Sequence, residues 1–344
     1  MKDAVMRKIR VLVVDDSLVF RETLARELAK DPSIEVVATA SDSYSARDRI
    51  LEYEPDVMTL DVEMPRMTGI EFLRRLIPQY PIPVVVVSAI SENVFEALNA
   101  GAVDFVTKPD AKSGRGIEAF ISETIVKIKI ASTAKVAATK RTTDAIPAAG
   151  KTGRAKRNCV IAIGASTGGT EALATILKEF SPQMPGTVIV QHMPAVFTAM
   201  FADRLNHACL MEVKEAKTGD LVLPGRILIA PGDYHMRVKR ADNGYKVECF
   251  RGDKVNGHCP SVDVLFDSVA REVGSNAIGV ILTGMGYDGA KGLLAMRKSG
   301  ARTIGQDEAT SVVYGMPRVA FDLGAVERQS PLQRIPQQLD SLLR

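Results

Sequence analysis

Ser166 lies in Gly164-Ala165-Ser166-Thr167-Gly168, a match to G-x-S-x-G, with Gly169 directly after it. A serine on a tight strand-to-helix turn is presented outward, because flanking glycines let the backbone bend without a Cβ clash. The run Val160–Ile163 before it reads as a buried parallel strand, and Thr170–Phe180 after it has helical spacing with Thr170 as N-cap. Such a hydroxyl can serve as a nucleophile, and the free N–H groups of the helix N-terminus suit an oxyanion. The same residues also fit a turn that binds phosphate or merely reverses the chain.

Two other strand ends favour the nucleophile. His192 follows the apolar run Thr187–Val190, and Asp288 lies beyond Ala277–Leu282. If these strands are parallel and adjacent, nucleophile, base and orienting acid meet on one rim. His192 is singled out by this position from His207, His235 and His258. The order Ser…His…Asp is not the Ser…Asp…His of α/β-hydrolases. The stretch Gly284-Met285-Gly286-Tyr287-Asp288-Gly289 also matches the dinucleotide fingerprint G-x-G-x-x-G, with Asp307 further on. A carboxylate inside that loop would repel a pyrophosphate, so the glycines are read as a close approach to a reacting carbonyl. The backbone N–H of Met285 would complete the oxyanion hole. Ser261 and Asp263 read as caps of the helix that runs to about Val273.

A second set of groups lies nearer the N-terminus. Asp15-Asp16, Asp61, Ser88 and Lys108-Pro109 each end an apolar strand: Ile9–Val14, Val57–Leu60, Val84–Val87 and Val103–Val106. With Ile34–Ala40 these make five strands, alternating with helices that start near Val19, Ser43, Gly69, Ser91 and after Lys112. That alternation predicts a parallel sheet with helices on both faces and working groups beyond its carboxyl edge. Three carboxylates converging there repel one another, which calls for a hard cation such as Mg²⁺.

The predicted fold class is therefore α/β throughout. A flavodoxin-like, five-stranded parallel domain spans 1–131, a flexible linker 132–157, and a doubly wound α/β hydrolytic domain 158–344. The second domain carries an antiparallel hairpin at Asp242-Asn243-Gly244, between Met236–Arg240 and Tyr245–Phe250. The net charge of +3 is unevenly spread. Residues 1–131 carry 17 basic and 21 acidic side chains, residues 132–157 carry 7 and 1, and the rest 20 and 19. The basic linker has no aromatics and no adjoining recognition helix, which argues against nucleic acid as its partner. No apolar run is long enough to span a bilayer, and no signal core opens the chain, so a cytoplasmic protein without membrane insertion is expected. The four cysteines have no CxxC spacing, and the adjacent His258-Cys259 alone is weak evidence of a metal site.

The stretches VLVVDDS, TLDVEMPRMTG, VVVVSA and AVDFVTKP resemble the receiver domain of bacterial response regulators. The resemblance implies that Asp61 accepts a phosphoryl group from a histidine kinase. It implies Mg²⁺ held by Asp15, Asp16, Asp61 and the backbone carbonyl of Glu63. It implies phosphoryl oxygens bound by Ser88 and Lys108, Phe105 moving with Ser88, and a Lys108–Pro109 bond that can be cis. Thr68 stands where many receivers carry Asp. GASTGG, QHMP, HCPSVDVLF and TGMGYDGAKG resemble the catalytic domain of the chemotaxis protein-glutamate methylesterases/glutamine deamidases. This second resemblance implies a phosphorylation-activated hydrolase. Its Ser166, His192 and Asp288 would demethylate glutamyl esters and deamidate glutamines on methyl-accepting chemotaxis receptors, with no cofactor for hydrolysis. The alternatives are a response regulator whose output domain binds nucleic acid or is a nucleotide-dependent oxidoreductase.

Overall fold

The computed structural model describes residues 7–89, 92–109, 116–136 and 159–343. The chain divides into two compact units, Met1–Thr143 and Asp144–Arg344. Most of the expected linker, 137–157, lies outside the described residues, as does Ser91, where a helix start was expected.

In the first unit the elements run β1 (Ile9–Val14), α1 (Leu18–Leu28), β2 (Ile34–Ala40), α2 (Ser43–Tyr53), β3 (Val57–Leu60), α3 (Gly69–Leu76), β4 (Val84–Ser88), α4 (Asn93–Asn99), β5 (Asp104–Thr107) and α5 (Ile117–Ala131). All five strands are parallel, in the order β2-β1-β3-β4-β5. The apolar runs of β3 and β4, and Val11–Val14 of β1, are buried on both faces, as a parallel sheet covered by helices requires, while the edge strand β2 is only half-buried. Thr68 proves to be the N-cap of α3. Its Oγ1 accepts from Glu71 N (3.2 Å), and Glu71 Oε2 accepts from Thr68 N (3.1 Å), a capping box that accounts for threonine here.

In the second unit come β6 (Val160–Ala165), α6 (Gly169–Leu177), β7 (Gly186–Gln191), α7 (Ala195–Ala208), β8 (Glu212–Glu215), β9 (Arg226–Ile229), β10 (His235–Ala241), β11 (Gly244–Phe250), α8 (Val262–Glu272), β12 (Ala277–Ile281), α9 (Ala290–Lys298), β13 (Arg302–Gln306), α10 (Met316–Asp322), β14 (Arg328–Ser330) and α11 (Ile335–Leu343). Seven parallel strands form one sheet, β14-β13-β12-β6-β7-β9-β8. From β6 the chain winds first toward β7 and returns on the other side with β12. That topological switch point is where open α/β sheets place their working groups. The expected hairpin, β10–β11, is a separate antiparallel pair. It packs on α8 through Val238 N, which donates to Ser268 Oγ (2.9 Å). Phe266 of α8 is fully buried in that core, where truncation of a phenylalanine to alanine costs about 3–5 kcal/mol.

Three expectations need correction. The N-cap of α6 is Gly168 (φ 76°), not Thr170, which lies inside the first turn. The helix starts early because the glycine adopts the left-handed conformation that turns the chain directly after Ser166. The cis bond among the described residues is Cys259–Pro260; Lys108–Pro109 is not cis. Asp263 does not cap α8. Its Oδ1 accepts from Gly292 N (2.7 Å) in the first turn of α9. No described helix is long and apolar enough to cross a membrane.

Candidate active site and acidic pocket

Ser166 and His192 are the next residues after the last register pair of β6 and β7, Ala165 and Gln191. His192 N donates to Ala165 O (3.1 Å), which holds the two loops together. On the other side of β6, Ser166 N donates to Thr283 O at the end of β12 (3.0 Å). The turn is pinned twice more. Gln191 Nε2 donates to Ser166 O (2.9 Å), and Thr283 Oγ1 donates to Thr167 O (3.0 Å). Gly284 must be glycine, since a Cβ there would stand 2.7 Å from Ser166 Cβ and 2.4 Å from Met316 Sδ. Gly289 (φ 89°) is pressed against Val262 in the same way. Gly284 and Gly289 therefore make room for protein, not for a pyrophosphate, whereas Gly286 (φ 88°) has open space around it and serves the turn through its positive φ.

His192 Nε2 lies 2.8 Å from Asp288 Oδ2. Asp288 is buried and accepts four further hydrogen bonds. They come from Val262 N (2.7 Å), Ser261 Oγ (2.8 Å), Asn256 Nδ2 (2.8 Å) and Asp263 N (3.2 Å). Two of these donors are the N-terminal amides of α8, whose dipole also favours a negative charge. The helix comes this close because position 164 is glycine; a Cβ would meet Val262 Cγ1 at 2.2 Å. Burial by itself would raise the Asp288 carboxyl. The hydrogen bond and charge of His192, with Asn256 and Val262 N–H, outweigh it and hold the group well below the usual carboxylate range.

An ionised Asp288 only accepts, so His192 carries its proton on Nε2. His192 Nδ1 is then the basic nitrogen. It is buried and has no hydrogen bond among the described residues. The ring nitrogens thus exchange the roles they have in the serine-protease template, where Nδ1 faces the acid. His258 lies flat on His192, with ring centroids 3.7 Å apart and planes 7° from parallel. Met285 is exposed and next to Gly284, so its N–H belongs to the peptide directly beyond the glycine that touches Ser166.

Sequence reasoning placed Ser166, His192 and Asp288 at neighbouring strand ends, and the structure brings them there. It missed Asn256, His258, Thr283 and the donor role of Ser261. The Asn256-Gly257 pair was a usable signal, because that dipeptide marks a tight left-handed turn. Ser261 does cap α8, accepting from Val264 N (3.4 Å), and donates to Asp288 as well.

In the first unit Asp15, Asp16 and Asp61 each offer an oxygen, all within 4.8 Å of one another. Lys108 Nζ lies 2.6 Å from Asp61 Oδ2 and 2.7 Å from Asp15 Oδ2. Asp15 Oδ2 meets Lys108 as an ion pair and has no aligned hydrogen-bond donor among the described residues. Asp15 Oδ1 accepts from Ser17 N (2.9 Å) and Asp61 Oδ1 from Glu63 N (3.1 Å). Burial pushes the Asp61 carboxyl above its ordinary range despite Lys108. Burial opposes the charge of Lys108, yet its two carboxylates raise it. Ser88 Oγ is buried without a partner among the described residues, and Phe105 is buried one strand over. An all-oxygen donor set with an unsaturated buried oxygen fits a small divalent cation.

The family described as CheB methylesterase matches residues 161–339, and that of the response regulator receiver domain matches residues 11–115. A protein-glutamate methylesterase/protein-glutamine glutaminase of Syntrophomonas wolfei is 63% identical over 98% of both chains. One of Syntrophotalea carbinolica is 55% identical, also over 98% of both. The crystal structure of the Thermotoga maritima CheB methylesterase catalytic domain superposes with a TM-score of 0.53 at 38% identity. It covers 54% of this chain and all of the other.

Proposed function

Because this chain belongs to the CheB methylesterase family, with a response-regulator receiver ahead of the hydrolytic unit, we propose that Ser166, His192 and Asp288 form its catalytic triad. The chain is a protein-glutamate methylesterase and protein-glutamine glutaminase that serves chemotactic adaptation. The observation that carries the site assignment is the His192–Asp288 pair, 2.8 Å apart, on the loops that flank Ser166. Ser166 Oγ attacks the γ-carbonyl of a receptor glutamyl ester while His192 Nδ1 takes its proton. The oxyanion faces the N–H of Met285 and the N-terminus of α6. Collapse of the tetrahedral species breaks the C–O bond, and His192 returns the proton to the departing oxygen, releasing methanol. Water then attacks the acyl-serine, with His192 again as base, freeing the glutamate and Ser166. A glutamine side chain follows the same course with ammonia leaving. Asp288 stays ionised throughout and stabilises the imidazolium.

In the receiver, Asp61 accepts the phosphoryl group from a histidine kinase. Asp15, Asp16, Asp61 and the carbonyl of Glu63 would hold Mg²⁺, which neutralises charge on the transferred group. Lys108 and Ser88 bind the phosphoryl oxygens, and Ser88 Oγ, without a partner among the described residues, can turn toward them. Phe105 repacks with Ser88. The substrates are chemoreceptors, on which the protein acts from the cytoplasm. Methanol release from methylated receptor membranes tests the reading. Ser166→Ala should lower it by roughly 10⁴-fold or more with the fold retained. Near-normal release would refute the triad.

A further inference from the structure

Val255 and His258 exchange two backbone hydrogen bonds, Val255 N to His258 O at 3.0 Å and His258 N to Val255 O at 2.9 Å. Between them Asn256 (φ 53°) and Gly257 (φ 84°) are both left-handed. A two-residue type I′ turn demands this, and asparagine and glycine tolerate it best. The turn suspends the Asn256 amide between two buried carboxylates. Nδ2 lies 2.7 Å from Asp263 Oδ2 and 2.8 Å from Asp288 Oδ1. Both neighbours are acceptors, so the NH₂ group must face them and both of its protons are used.

Asp263 is the other half of the arrangement. It sits one residue beyond Val262, whose N–H holds Asp288, and its own Oδ1 is tied to Gly292 N. Burial raises its carboxyl, the Gly292 amide opposes that, and the charge of Asp288 adds to the rise. Two carboxylates thus share one desolvated niche, where like charges repel. Among the described residues the Asn256 amide is the one side chain that bonds both.

We infer that Asn256 is a positioning residue of the hydrolase: its amide holds the Asp288 carboxylate against repulsion from Asp263, at the angle that meets His192. Asn256 acts through Asp288 and is assigned no contact with substrate. The inference rests on the esterase reading above. Without the amide, Asp288 keeps its backbone donors but is pushed by Asp263, and His192 loses its alignment on Ser166.

The test is steady-state hydrolysis by the full chain of a soluble peptide bearing a glutamate γ-methyl ester. Asn256→Gly keeps the left-handed turn and removes only the amide. Its kcat should fall roughly 10- to 100-fold with KM unchanged, the size of effect that a misplacement of about 1 Å produces. Adding Asp263→Asn, which removes the opposing charge, should restore kcat by about twofold or more, within the coupling seen between residues of one network. A merely structural role would leave that second change neutral or harmful. Should the glycine loosen the turn too far to fold, Asn256→Asp keeps the turn, adds a third carboxylate, and must lose at least as much kcat. Wild-type kcat in Asn256→Gly or Asn256→Asp, a change in KM alone, or no recovery in the double variant each overturns the inference. Failure of the wild-type chain itself to hydrolyse the ester would instead overturn the esterase reading.

Discussion

Asp61 and Asp288 are both buried aspartates beyond the carboxyl ends of parallel strands, and their surroundings push them in opposite directions. Asp288 is saturated: five donors converge on its two oxygens, two of them helix N-terminal amides. Asp61 has one backbone amide and a lysine that it shares with Asp15. Burial therefore wins at Asp61 and loses at Asp288. A carboxylate with every lone pair engaged is locked in place and can only orient and stabilise a neighbour. A carboxylate with spare acceptor capacity, crowded by two more acids, is poised to receive a cation and an electrophile. The same residue type on the same kind of rim is fitted for two tasks by the number of donors around it.

The widest separation between the two sites should appear in turnover. Asp288→Asn keeps the size but accepts from fewer donors and favours the wrong tautomer of His192, so kcat on a soluble methyl ester should fall by about 10⁴-fold. Asp61→Asn should leave that basal kcat near the wild-type value. Equal losses in both variants would erase the distinction between an orienting and an accepting carboxylate.

A smaller effect should appear in stability, with opposite signs. Asp61 has its folded pKa raised. Its contribution is favourable only at low pH and is lost as pH rises through the folded pKa, so ionised Asp61 destabilises the receiver at neutral pH. Asp61→Asn should raise the receiver's unfolding midpoint at pH 7, and the gain should fade as the buffer is acidified. Asp288 has its folded pKa lowered. Its contribution is present above the ordinary carboxylate range and disappears only as pH falls through the depressed value. Asp288→Asn should therefore lower the midpoint of the second unit at pH 7 and at pH 5 alike. Calorimetric scans of the full chain at several pH values read both; like signs at pH 7 would contradict the account.

Much of this was legible in the sequence because parallel strands buried on both faces read as apolar runs. Val84–Ser88 and Val160–Ala165 are examples, and strand ends locate a rim. The edge strands of the second sheet were not legible. Glu212–Glu215 and Arg328–Ser330 are short and polar, and pairing on one side alone makes no apolar run. The parts of Asn256 and His258 were not legible either: the Asn256-Gly257 pair signals a turn, but not that it folds back over the triad from 32 residues upstream of Asp288. Thr170 was misread as a cap because a glycine with positive φ can open a helix without any side-chain bond. The fingerprint at 284–289, set aside in the sequence because Asp288 lies inside it, owes its first glycine to contact with Ser166 and Met316.

The claim that one carboxylate is open and the other closed is tested most directly by letting the protein choose. The full chain would be incubated with acetyl phosphate and Mg²⁺, and the phosphoryl label mapped by mass spectrometry while methanol release from methylated receptor membranes is followed. The account predicts label on Asp61 alone, none in Asp61→Asn or with EDTA, and faster methanol release only where Asp61 is labelled. Label on another carboxylate, or acceleration that persists in Asp61→Asn, would contradict it.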